Sequence, residues 1–184
     1  PPPRPPPTRP RGPRNAPTLP PPDPPDLPLV ATRLVAAAVA ALEPALPADL
    51  AWASADATGV GGNRLLADGI TDPECGILAL RDAQDHKMIA MALVYGMHPT
   101  VLHEDSTLVS ADVPAYARLH LREHIEREIP IVYPTAPCGD QSPRRFVTGQ
   151  TCAEAERLGR KLGTAVVLEL DRLAETAWQS HAAL

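Results

Sequence analysis

The sequence predicts an α/β layered domain, a mixed sheet flanked by helices, behind a disordered N-terminal tail. Three observations carry this expectation. Apolar runs of strand length alternate with longer helical patterns, in the order helix, strand, hairpin, helix, strand, helix. The run Met88–Tyr95 stays apolar to its end and then meets Gly96, as a buried strand does. Finally, 15 of the 24 prolines crowd into residues 1–28, which hold almost nothing to bury.

The N-terminal elements come first. Residues 1–28, with Arg4, Arg9, Arg11 and Arg14 among the prolines, are expected to be disordered or polyproline II. Residues 29–42, LVATRLVAAAVAAL, are helix formers, apolar nearly all round, so this helix is expected to be well buried before Pro44 and Pro47 stop it. LAWASADATGV, 50–60, reads as a strand running into a glycine turn at Gly59, Gly61 and Gly62. GILAL (76–80), the polar Arg81–Lys87 and MIAMALVY (88–95) read as a hairpin whose second strand is buried on both faces.

Ser110-Ala111-Asp112 then precedes a helix with Pro114 in its first turn, running to about Glu128. PIVY, 130–133, is a short buried strand followed by the loop PTAPCGDQSPRR. Thr151 and Glu154 form a capping box for a last helix over 152–174. The two parts expected are therefore a tail, 1–28, and a domain, 29–184.

Composition excludes several functions. A formal charge of −5 argues against a general nucleic-acid binder, which needs a basic face. No run of 18 or more apolar residues is present to form a transmembrane segment. The first 28 residues carry no apolar signal-peptide core, so the cytoplasm is the default expectation. Cys75, Cys138 and Cys152 are an odd set without CxxC, which favours free thiols over a disulfide frame or a cysteine zinc site. The tail segment Arg4–Pro10 fits the RxxPxxP pattern of ligands for proline-groove domains, against the plainer reading of chance in a Pro/Arg-rich run.

Three polar loops carry the candidate chemistry. His98 follows the apolar strand and precedes a proline; it fits either a loop histidine capping a strand end or a metal ligand. Ser110 and Asp112 stand at a helix start, and Cys138-Gly139-Asp140-Gln141-Ser142-Pro143 follows the next buried strand. Loops leaving the carboxyl ends of strands line ligand crevices in layered α/β folds, so these three can share a site. GVGGNR, 59–64, is not GxGxxG and no helix follows it, which excludes a dinucleotide site; Asn63-Arg64 could instead hold an anion or a substrate carbonyl. His120-Leu121-Arg122-Glu123-His124 fits HxxEH, but its interleaved arginines read as solvated helix surface. GxSxG is absent, so no serine-hydrolase elbow is expected.

Taken together, GGNR, DPECGILALRD, the strand into YGMHPTVL, STLVSADVPAYAR, CGDQSPR and TCAEAERLGRKLG stand in an order that resembles the neutral/alkaline (non-lysosomal) ceramidase family, over roughly residues 30–170. The resemblance implies a partial catalytic domain of that type: a zinc-dependent hydrolase cleaving the N-acyl amide bond of ceramide or a related amide. It further implies His98 as a Zn2+ ligand, Ser142 and Asp140 at the substrate loop, and Asn63 and Arg64 as a polar clamp on a lipid or amide substrate. Ser110 and Asp112 would lie behind them, as support for the site or merely as a helix cap.

The sequence departs from the family in having no His-x-His segment; the proline tail stands where one is expected. A fragment, with its tail read from a shifted frame of a GC-rich gene, is the expectation this raises. The alternative is a non-catalytic interaction protein whose proline tail recruits a partner.

Overall fold

The computed structural model describes residues 26–103 and 105–180; the proline tail up to residue 25, with its RxxPxxP segment, lies outside them. The chain divides into two units, residues 1–45 and 46–184. In the first, helix α1 spans Asp26–Leu42. It starts earlier than the sequence suggests because Pro28 falls in its first turn, where a missing N–H leaves no hydrogen bond unmade. It is not the buried helix that its composition suggests. Leu27, Leu29, Val30, Leu34, Val35, Val39 and Leu42 are between 53% and 74% exposed. An apolar pattern with helical period specifies the helix but not the layer that covers it.

The second unit begins with strand β1 (Ala48–Asp56), the two-residue strand β2 (Gly62–Asn63), β3 (Glu74–Asp82) and β4 (Met88–Tyr95). Helix α2 (Asp112–Ile125), the short strands β5 (Ile131–Val132) and β6 (Gln141–Ser142), helix α3 (Cys152–Leu170) and a 3-10 turn at Glu175–Ala177 complete it. The main sheet has the order β1-β3-β4-β5; its first two pairings are antiparallel and β4–β5 is parallel. The mixed α/β layer expected from the sequence is therefore present.

Period-two alternation decides which side of this sheet is covered. Cys75, Ile77 and Ala79 of β3, with Met91, Leu93 and Tyr95 of β4, are at most 2% exposed and join Val113, Ala117 and Leu121 of α2 and Leu158, Leu162 and Val166 of α3 in one core. The opposite face holds Trp52, Val94 and Val132, which are 66%, 42% and 57% exposed. β4 is thus buried on one face only, where the sequence suggests burial on both, and β5, expected to be a buried strand, is half open. An all-apolar run does not tell the covered face from the open one.

The two helices approach closely because α3 presents glycine to α2: a Cβ on Gly159 would lie 2.4 Å from Cβ of Tyr116. Thr151 caps α3 by accepting the Glu154 N–H at 3.3 Å. The reciprocal half of the expected capping box is redirected, since Glu154 accepts from the Thr148 N–H and from Arg157. The chain beyond α3 returns to the sheet. Leu50 and Gln179 exchange both backbone hydrogen bonds, and Arg81 reaches Asp49 at 3.2 Å and Glu175 at 2.8 Å while lying 4.4 Å over the Trp178 ring.

Candidate functional site

The end of β4 is where separate loops meet. The loop after β5 runs alongside it, with Ala136 N–H donating to Tyr95 O at 3.1 Å. Nearby, the His98 N–H donates to Gln141 O at 3.1 Å, which seats His98 against β6. β6 is itself held by β2, Gly62 opposite Ser142 and Asn63 opposite Gln141. His98, Asn63, Arg64, Asp140 and Ser142, five residues singled out from the sequence, thus share one patch at the end of the sheet. The backbone of His98 makes these bonds, while its half-buried ring makes none to a described residue.

Around them is a network of amides and carboxylate. Asp140 Oδ2 accepts from Asn63 Nδ2 at 2.9 Å, and its Oδ1 accepts from Gln141 Nε2 at 2.8 Å. Asn63 also donates to Ile70 O at 3.1 Å and accepts the N–H groups of Leu65 and Leu66 at 2.9 Å each. Every donor and acceptor of that amide is engaged, so Asn63 shapes the loop after it. Arg64 donates from one Nη to Gly139 O at 2.7 Å, and its other guanidinium N–H groups meet no side-chain or backbone acceptor among the described residues. Ser142 is 4% exposed, and its Oγ accepts the Arg144 N–H at 3.3 Å.

Ser110 and Asp112 stand one step behind. Ser110 Oγ accepts the Asp112 N–H at 3.0 Å, and Asp112 Oδ2 takes the N–H groups of Val101 and Leu102. Asp112 therefore fixes the loop that leaves His98, in addition to accepting the Val113 N–H at the head of α2. Two participants escape the sequence reading: Gln141, which bridges Asp140 and Ile70, and Arg145, whose Nε donates to Asn63 O at 3.0 Å. Both reach far along the chain, Gln141 to Ile70 and Arg145 to Asn63, and no local pattern signals them.

The zinc implied by the resemblance does not fit the described residues alone. Among them no three His, Cys, Asp or Glu side chains come together as a metal-holding group, whereas a catalytic zinc takes about three protein ligands. The HxxEH pair provides no such group either. His120 lies 3.2 Å from Thr164 Oγ1 of α3, and His124 lies 3.2 Å from Oδ1 of Asp171, the residue that caps the end of α3. Cys75 is buried, and burial pushes its thiol up to about 12, which removes it as a nucleophile.

No protein-family model and no curated protein matches the chain. Solved structures do. A ceramidase structure described as complexed with C2 is similar with a TM-score of 0.58 and 18% identity, over 69% of this chain and 23% of that one. Neutral ceramidase from Pseudomonas aeruginosa is similar with a TM-score of 0.56 and 19% identity, over the same shares. The chain thus spans about a quarter of the length of these structures. At this identity the likeness shows the fold: a ceramidase-like mixed α/β layer, the fold of the family that the six ordered motifs resemble.

Proposed function

We propose that this chain carries part of the site of a hydrolase that cleaves the N-acyl amide bond of ceramide or a related lipid amide. The observation that supports it most is the gathering of His98, Asp140, Ser142 and Arg64 at one sheet end, on a fold similar to that of neutral ceramidases. In this reading the free guanidinium N–H groups of Arg64 and the hydroxyl of Ser142 face the amide carbonyl, whose oxygen gains negative charge as it is attacked. Asp140 keeps the loop in register through Asn63 and Gln141. His98 is the candidate ligand of this patch, and a single imidazole does not hold a catalytic metal, so no step is assigned to zinc.

The test is hydrolysis of a fluorescent N-acyl sphingoid base by the purified chain, with Ser142→Ala and His98→Ala alongside and bound zinc counted by mass spectrometry. Expected is release of the fatty acid that falls about a hundredfold or more in Ser142→Ala. Intact substrate with every variant, together with no binding of a non-hydrolysable ceramide analogue that Arg64→Ala or Ser142→Ala weakens, in folded protein, would overturn the reading. It would favour the non-catalytic interaction protein. For that protein the RxxPxxP segment, residues 4–10, would be the place to seek a partner.

A further inference from the structure

We infer that the substrate of this site carries a carboxylate on the amine side of its amide, as an N-acyl amino acid does, and that Arg144 and Arg145 bind that carboxylate. The inference rests on the amide-hydrolase reading above. Both arginines follow the loop serine directly. Ser142 Oγ accepts the Arg144 N–H at 3.3 Å, so the Arg144 side chain departs from backbone that touches the hydroxyl. The Phe146 N–H donates to Pro143 O at 2.7 Å and closes a turn with the two arginines at its exposed centre.

The turn is fastened to β2 on two sides. Phe146 packs on Gly62, where an added Cβ would lie 2.9 Å from its ring. Arg145 Nε donates at 3.0 Å to Asn63 O, the carbonyl bonded to the Arg64 nitrogen, which leaves the Arg145 Nη groups for another acceptor.

Charge gives the ligand its sign. On the body of the domain Arg81, Arg157 and Arg160 are each held by carboxylates. Arg64, Arg144 and Arg145 contact neutral oxygens instead: Gly139 O, Ser142 Oγ and Asn63 O. Residues 62–64 and 139–146 hold these three cations and one acid, Asp140, within a chain of net charge −5. Both oxygens of Asp140 are occupied by the amides of Asn63 and Gln141. In the loop after β2, Asp72 turns back to the Glu74 N–H at 3.1 Å, and Asp68 is exposed, where water screens it.

A ceramide offers only hydroxyls on its amine side, a poor match for guanidinium groups. An N-acyl amino acid offers a carboxylate on the carbon next to the amide nitrogen, which an arginine can take with paired N–H groups. One molecule then spans the site, its carbonyl at Ser142 and Arg64 and its carboxylate at the turn. In the hydrolysis, water oxygen bonds to the acyl carbon as the C–N bond breaks. Both water protons end on the nitrogen, so a fatty acid carboxylate and an amino acid ammonium leave.

The experiment compares N-octanoylglycine with N-octanoylethanolamine, its neutral counterpart, by titration calorimetry and hydrolysis with the full chain. Ceramide 1-phosphate provides a phosphate in place of the carboxylate. The variants are Arg144→Gln, Arg144→Lys, Arg145→Gln and, as a control beyond α3, Arg172→Gln, all checked by circular dichroism. Wild type is expected to bind the glycine amide at least about tenfold more tightly than the ethanolamide. Arg144→Gln should lose most of that preference without changing ethanolamide binding, Arg144→Lys should keep part of it, and Arg172→Gln should match wild type.

Equal affinity for the two amides, or a preference that survives both Arg144→Gln and Arg145→Gln, overturns the inference. So does tighter binding of ceramide 1-phosphate that depends on the same arginines, which assigns them to phosphate. Binding or cleavage of the ethanolamide with no preference for the glycine amide refutes the carboxylate alone and leaves the hydrolase reading. A preference that needs Arg144 while Arg64→Ala and Ser142→Ala change neither binding nor cleavage refutes the hydrolase reading and leaves a carboxylate site. Binding of neither amide overturns both.

Discussion

Asp112 holds Val101 in place: one oxygen of its buried carboxylate takes the Val101 N–H at 3.0 Å and the neighbouring Leu102 N–H at 2.9 Å, while its other oxygen takes the Val113 N–H at 2.8 Å. It does so from a left-handed backbone, φ 54°, a conformation that costs a non-glycine residue of order 1 kcal/mol. Structure elsewhere sustains that strain, and the loop beyond His98 is what it positions.

Asp112→Ala removes the acceptor of three N–H groups but keeps the strain. A loss of about 3 kcal/mol is expected in urea unfolding. Asp112→Asn keeps an acceptor and tolerates the left-handed region, so its loss should be about half as large. Equal losses for the two would mean that a neutral amide oxygen does not replace the carboxylate, and no loss in either would mean that these N–H groups do not depend on it.

Gly159 tests the contact between the helices. A Cβ there would meet the Val113 carbonyl oxygen at 2.8 Å and the Ala117 nitrogen at 3.0 Å, both backbone atoms that cannot swing aside. Gly159→Ala should cost about 2 kcal/mol in spite of the better helix propensity of alanine. Gly139→Ala, where nothing lies within 4 Å of the added carbon, should cost little. Paired denaturant titrations decide it.

Arg81 joins the chain end to the sheet. Its guanidinium binds Asp49 and Glu175 and stacks over Trp178; its own pKa is raised, chiefly by the Glu175 hydrogen bonds and further by Asp49. Arg81→Met leaves the Asp49 carboxylate buried without its cation and should destabilise strongly. The double variant Asp49→Ala/Arg81→Met should lose less than the two single losses combined. Additive losses in a double-mutant cycle would show that the pair is not coupled.

These relationships mark how far the sequence can be read. Met88–Tyr95, the hairpin and the last helix are legible because strand and helix periods are local properties. The grouping of His98 with CGDQS is legible because both loops leave carboxyl ends of neighbouring strands. What escapes is what depends on partners far along the chain. The exposure of α1 depends on what covers it, and the open face of β4 on the absence of a second layer over Val94 among the described residues. The Asn63–Asp140 bond spans 77 residues, and Arg81–Glu175 spans 94. Neither Arg81 nor Glu175 carries a local mark of its partner. Glu154 shows the same limit on a smaller scale: the capping motif places the helix start correctly but names the wrong N–H, Thr151 in place of Thr148.

Glu154 also gives the chain an acid-sensitive contact. Its carboxyl is held down to about 2, first by the Arg157 side chain and then by the Thr148 N–H, against a burial effect that raises it. In an unfolded chain the same group titrates near 4.5. A carboxyl lowered on folding binds fewer protons in the native state, so its contribution is complete above about 4.5 and is lost as the pH falls toward 2. Melting temperatures of wild type and Glu154→Gln should therefore differ most near neutrality and converge over that interval. Glu154→Gln should show the flatter acid limb. Parallel curves down to the lowest pH would mean that the Arg157 and Thr148 contacts do not hold the carboxylate in solution.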